Sequence, residues 1–211
     1  MSTINHIVAV DIGATKAAIA IVSNELEVIK KTEVPTGSNS DIWSGIENAT
    51  KELISLGNFQ IDGIGIASAG PINLQTGSIS PVNIPTWREF PIVEHFSKLL
   101  GTSNIVLHGD AVALAHAEYK IGAGKGCKNM LGMVVSTGIG GGLIIDGAVF
   151  NGISGNAGYF GHHSISFQSD LCTCGRNGCI ELFASGPKMV LHAKQIGWQG
   201  PGNDFQALAE S

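Results

Sequence analysis

Four side chains in one short stretch, His162, Cys172, Cys174 and Cys179, follow the spacing His-x9-Cys-x-Cys-x4-Cys. Thiolate sulfur and imidazole nitrogen in that number close a tetrahedral Cys3His zinc site, and four protein ligands make such a site structural. Cys172 and Cys174 are badly placed to bridge each other, because a disulfide needs a specific Cβ–Cβ approach. Gly175 and Gly178 let the backbone turn tightly around an ion. The competing reading is a few buried or redox-active thiols beside an unrelated histidine. The compact spacing and the turn residues favour the metal.

The bulk properties exclude several classes of partner. The 211 residues can bury a sizeable core as one large domain or two small ones. Net charge is -5, from 12 basic and 17 acidic residues, and no basic run is longer than Lys30-Lys31. A phosphate-neutralising patch for nucleic acid is therefore not expected. Mean hydropathy is +0.23, yet no apolar run reaches the roughly 18–20 residues of a membrane span. The opening Met1 to His6 lacks the basic start and cleavage site of a signal peptide. With reduced cysteines this points to the cytoplasm. Glycine is the outlier, at 29 residues, about twice its usual ~7 % share. Many fall between 132 and 161, where tight turns and close ligand approach explain them better than disorder.

Along the chain, β-branched runs at 6–12, 17–22 and 26–34 predict an antiparallel meander rather than a βαβ opening. Helical spacing follows at 41–56, with Asp41 as N-cap. A strand at 61–69 leads into a loop at 72–87 that is long enough to bind something. A helix at 90–100, a strand at 104–108 and a helix at 110–121 complete a first lobe over 1–121. Gly122 to Gly126 is the expected hinge, and 122–211 is read as a partial second lobe. There the pattern restarts with a strand at 130–136, a glycine loop at 137–142, a strand at 143–145, a type I′ turn at Asp146-Gly147 and a strand at 148–150. A helix at 186–197 and the start of another at 204–211 follow, joined by a loop at 199–203. The strand–glycine–strand opening in both halves is a weak internal repeat, of the kind a duplicated, two-lobed fold produces.

Three groups carry chemistry. Asp11-Ile-Gly-Ala-Thr-Lys16 ends a buried strand with an acid, a glycine turn, a hydroxyl and an amine. Gly13 lets the backbone approach a phosphate, Thr15 and Lys16 supply donors, and Asp11 suits magnesium or its waters. Thr137, Gly138, Gly140 and Gly141 belong to a second amide-rich turn, Ser136 to Gly142, which is neither a Walker A loop nor a dinucleotide fingerprint. A plain glycine-rich hairpin is the alternative there. Asp110 follows a strand and opens a helix, so it is either an N-cap or a general base for a hydroxyl attacking phosphorus.

Together these residues resemble the ROK family of sugar kinases and sugar-responsive repressors, in the actin-like ATPase superfamily. The likeness is carried by Asp11 to Lys16, Gly70-Pro71, Asn83-Ile-Pro-Thr-Trp87, Asp110-Ala111, Ser136 to Gly142, Gly158-Tyr-Phe-Gly-His162 and the Cys-x-Cys-Gly-x-x-Gly-Cys-x-Glu string. It implies an α/β, ribonuclease H-like two-lobed fold with an incomplete second lobe. It also implies phosphorylation of a hexose or N-acyl-hexosamine by ATP with Mg2+, in a homodimer without nucleic-acid or membrane partners. Asp110 would be the base, Asn83, Tyr159, His162 and Glu181 would lie at the sugar, and zinc would order the loop presenting Glu181. The glycine loops would cradle the ATP phosphates. Three departures stand out: Gly109 where the family commonly has Asn, Tyr159 where glucokinase-like members have Glu, and no match to the family's later adenosine-binding motif. They leave two alternatives, a truncated or degenerate protein that binds sugar without catalysis, and a sugar-responsive regulator.

Overall fold

The computed structural model describes residues 5–13, 15–37, 41–153, 155–200 and 205–210. Ala14 of the first turn and most of the 199–203 loop lie outside them. The chain divides into two compact units, Met1–Asp110 and Ala111–Ser211.

In the first unit, strands β1 (Asn5–Ile12), β2 (Lys16–Ser23), β3 (Val28–Pro35), β4 (Gln60–Ser68) and β7 (Ile105–Gly109) form one sheet in the order β3-β2-β1-β4-β7. The first three strands are the expected antiparallel meander, and β4 and β7 then run parallel to β1. Alternation selects the buried face. Val8, Val10 and Ile12 pair with Ile21, Ile19 and Ala17 on one side, and Ile64, Ile66 and Leu107 extend the same face across the sheet. Helix α1 (Ile42–Ser55) lays Ile42, Ile46 and Leu53 into this core, and its N-cap Asp41 accepts the Ser44 N–H at 3.1 Å. Helix α2 (Ile92–Leu100) adds Ile92 and Phe96, both fully buried, each worth about 1.5–3 kcal/mol of burial. The span expected to be an unstructured loop contains a small hairpin, β5 (Ile72–Asn73) and β6 (Ser78–Ile79). Its turn is set by Asn73, whose side chain accepts from the Gln75 and Thr76 amides, and by Gly77 at φ 65°. The Gly70–Pro71 bond that precedes it is cis.

The second unit repeats the meander. Strands β8 (Met130–Val135), β9 (Ile139–Ile145) and β10 (Ala148–Val149) form an antiparallel sheet. Asp146 and Gly147 have φ of 51° and 83°, the double positive φ of a type I′ turn. Helix α3 (Asp110–Ile121) approaches this sheet closely where glycines face it. A Cβ at Gly132 or Gly142 would stand 2.6 or 2.8 Å from the Ala115 methyl, and one at Gly140 2.8 Å from that of Ala111. All of α3 after Asp110 falls in this unit; the sequence reading set its lobes at 1–121 and 122–211. A 3-10 turn (Phe160–His162) and helices α4 (Glu181–Ala184), α5 (Gly186–Gln195) and α6 (Phe205–Ala209) complete the unit. Among the described residues no helix is long and apolar enough to cross a membrane.

Candidate active site and metal centre

Parallel pairing brings the carboxyl ends of β1, β4 and β7 to one edge of the first sheet. Asp11 lies opposite Ala67, Ser68 opposite Gly109, and Asp110 is the next residue along the chain. Open α/β sheets bind ligands at that edge. The Asp11 carboxyl is held above its ordinary range, first by desolvation and then by the negative charge of Asp110, against an opposing pull from Lys16. Two carboxylates close enough to feel each other suit a divalent cation or its water shell.

The turn from β1 to β2 is tightly sewn. The Gly13 N–H donates to the Lys16 carbonyl at 3.0 Å. The wholly buried Thr36 donates its N–H to the Thr15 carbonyl at 2.9 Å and its hydroxyl to that of Gly13 at 3.0 Å. Thr36 carried no sequence signal, since it simply follows a strand. The Lys16 ammonium pairs with Glu33 on β3 at 2.8 Å, both half exposed, where a phosphate contact was expected. Exposed pairs of this kind are held weakly, so a polyphosphate can draw the lysine away.

Asn83 is exposed on a loop closed at its neck by the mutual Ile79–Phe90 backbone bonds and by the Glu89 N–H on the Ser80 hydroxyl. Two successive turns place the carbonyls of Pro81, Ile84 and Trp87 together, and Arg88 Nη1 donates to all three, at 3.0, 3.2 and 2.9 Å. Trp87 is buried and stacks on Phe90, with centroids 4.1 Å apart. The sequence reading missed Arg88, whose only signal was its place directly after the Trp87 motif.

In the second unit the glycine run is shorter as a loop than expected. Gly140, Gly141 and Gly142 are strand residues of β9, paired with Val134, Met133 and Gly132. Their small size serves the packing of α3 and of Phe160, whose ring would lie 2.9 Å from a Cβ at Gly141. Thr137 and Gly138 remain in the turn, closed by the Ser136 N–H on the Gly138 carbonyl at 2.9 Å. Glu181 reaches this turn, its Oε2 accepting the Ile139 N–H at 2.7 Å. Tyr159 is half buried just before the 3-10 turn.

His162, Cys172, Cys174 and Cys179 converge, with all ligand atoms within 4.8 Å of one another. Cys172 Sγ is 3.6 Å from His162 Nδ1, and the Cys174 and Cys179 sulfurs are 3.5 Å apart. A zinc tetrahedron has edges of about 3.6 Å between sulfur and nitrogen and about 3.8 Å between sulfurs, from bonds near 2.3 and 2.0–2.1 Å. Two separations thus match tetrahedral edges and the other donor pairs lie within 4.8 Å, so the four side chains could hold zinc, and all four cysteines of the chain are free thiols. Gly175 and Gly178 have φ of 86° and 65°, and a Cβ at Gly178 would collide with the Ser166 carbonyl at 1.6 Å. The Cys172 thiol is drawn down to about 7, first by the Cys174 backbone N–H, while burial foremost pushes Cys179 up to about 12. A cation among them lets the buried Cys179 ionise.

The model of the ROK family matches residues 7–211. The chain belongs to the ROK family. Among ROK relatives, the glucokinase of Streptomyces coelicolor is 35 % identical over 89 % of this chain and 59 % of its own length. The N-acetylmannosamine kinase of Citrobacter koseri is 37 % identical over 84 % of this chain and 61 % of its own. The chain thus spans about three fifths of these relatives. The solved ROK hexokinase of Thermus thermophilus superposes with a TM-score of 0.80 at 31 % identity, over 90 % of this chain and 64 % of that one. The ROK glucokinase of Streptomyces griseus, solved with glucose and AMPPNP, gives 0.71 at 32 %, over 90 % and 61 %. The mixed α/β sheet fold is that of these actin-like ATPase relatives.

Proposed function

We propose that this ROK protein phosphorylates a hexose or N-acyl-hexosamine with ATP. The observation that carries the reading is the pair of acids at one carboxyl edge, with Asp110 near enough to raise the Asp11 carboxyl. Asp110 takes the proton of the sugar hydroxyl as its oxygen attacks the γ-phosphorus. The phosphoryl group passes to the sugar and ADP leaves, so positioning and charge do most of the work. Asn83, fixed by Arg88 below its loop, hydrogen-bonds the sugar in the first unit. Tyr159, His162 and Glu181 serve the sugar in the second.

Gly13, Thr15 and Lys16 form one phosphate turn, and Thr137 and Gly138 form the other, with Gly140 and Gly141 as its packed base. Asp11 would meet the magnesium that accompanies ATP, and the ion would supply neutralisation of phosphate charge. His162, Cys172, Cys174 and Cys179 would hold a zinc ion, which would keep the sugar-side loop in shape. The substrate classes are supported by the names of the kinase relatives.

A second reading is sugar binding without turnover, the alternative left by Gly109 and Tyr159. A coupled ADP-release assay across hexoses and N-acetylhexosamines separates the two. Sugar-dependent ADP supports the kinase, whereas sugar binding with no ADP on any sugar overturns it.

A further inference from the structure

Glu181 stands where the metal string meets the glycine turn. Its Oε2 holds the Ile139 N–H at 2.7 Å, and two glycines clear the space around it. A Cβ at Gly138 would lie 2.6 Å from that oxygen and one at Gly161 3.1 Å from it. A Cβ at Gly161 would also strike the Ile139 carbonyl at 2.3 Å, so the 3-10 turn presses backbone to backbone on the same residue. The Gly186 N–H also donates to the Ser136 carbonyl, at 2.8 Å. The turn 136–139 is thus gripped between two jaws. One is the 3-10 turn, which carries His162 directly after Gly161. The other is the start of α4, where Glu181 follows Cys179 by two residues.

His162 and Cys179 belong to one four-ligand cluster. An ion held by both would link the two jaws through its ligands, so that the separation Glu181 spans would no longer fluctuate with each jaw. We propose that the Cys3His centre works as a clamp on the glycine turn, with Glu181 as the positioning residue that transmits metal occupancy to the Ile139 backbone. Metal binding then presets the turn that the proposed function gives to the ATP phosphates, and the inference rests on that reading only for its consequence. Loss of metal loosens the Ile139 bond while the distal sheet, held by its own ladder between Leu131 and Leu143, keeps its protection.

The test is amide hydrogen exchange on the zinc-loaded and chelator-stripped protein, each with Glu181 intact and as Glu181→Ala. The clamp predicts that stripping speeds exchange at Ile139 at least tenfold, with Leu143 changed less than twofold. Glu181→Ala should do the same while retaining its zinc, and stripping the variant should add little, because both changes cut one path. Glu181→Gln, which keeps an acceptor oxygen, should restore most of the protection. Additive effects at Ile139, or exchange there insensitive to metal, overturn the clamp. Mg-ADP affinity measured on the same samples should weaken in parallel. A wild-type protein that binds no Mg-ADP but shows the exchange pattern contradicts the phosphate reading and leaves the clamp standing. Unchanged exchange with intact Mg-ADP binding does the reverse.

Discussion

Replacing Gly141 by alanine tests whether the glycine run is packed strand or free phosphate loop. The new methyl carbon would lie 2.3 Å from the Gly132 carbonyl oxygen and 2.9 Å from the Phe160 ring. The nearer neighbour is backbone in a paired strand, so it cannot rotate aside. Overpacking of this kind costs about 1–3 kcal/mol, and a backbone collision belongs at the upper end. At about 2–4 °C per kcal/mol for a chain of this size, Gly141→Ala should lower the melting temperature by about 6–12 °C.

Gly65 in β4 is the control, because a Cβ there meets nothing within 4 Å and its φ is not positive. Gly65→Ala should gain about 0.4–1 kcal/mol by restricting the unfolded chain, a rise of about 1–4 °C. Differential scanning calorimetry on the two variants measures both signs. A Gly141→Ala protein that melts with the wild type while losing nucleotide affinity would refute the strand-packing argument.

Asp11→Asn should stabilise the protein at neutral pH while weakening Mg-nucleotide binding. A carboxyl whose folded pKa is raised is penalised when ionised, so its cost is present above that pKa and fades as pH falls towards the unfolded value. Melting temperatures at pH 7 and at about pH 3 check this, and equal gains at both would contradict it. Arg88→Ala should raise the sugar dissociation constant about tenfold, or about 1.4 kcal/mol, by freeing the loop of Asn83. Arg88→Lys should recover much of the loss through its three donors, as read by Trp87 fluorescence on sugar titration. Metal analysis should find about one zinc per chain, lost in Cys179→Ser together with thermal stability.

Much of the fold was legible because burial wrote itself into periodicity. Val8, Val10 and Ile12 alternate along β1, and Ile42, Ile46 and Leu53 recur at helical spacing along α1. The convergence of the Cys3His side chains was legible for a different reason, since four such residues at short spacing leave few alternatives. The glycine run misled because a glycine that accommodates a phosphate and one that accommodates a helix are the same letter. Only the Ala111 and Ala115 methyls against Gly140, Gly132 and Gly142 tell them apart. Thr36 and Arg88 were illegible because their partners are backbone carbonyls, which carry no residue identity.

Asp110 is the residue on which the functional account depends. The most direct measurement is steady-state ADP release by Asp110→Asn beside the wild type, on the best sugar, with sugar affinity measured in parallel. General-base catalysis predicts a fall in kcat of about 10²–10⁴-fold, with the sugar dissociation constant changed by less than a factor of about three. Turnover of the variant near that of the wild type would contradict the account.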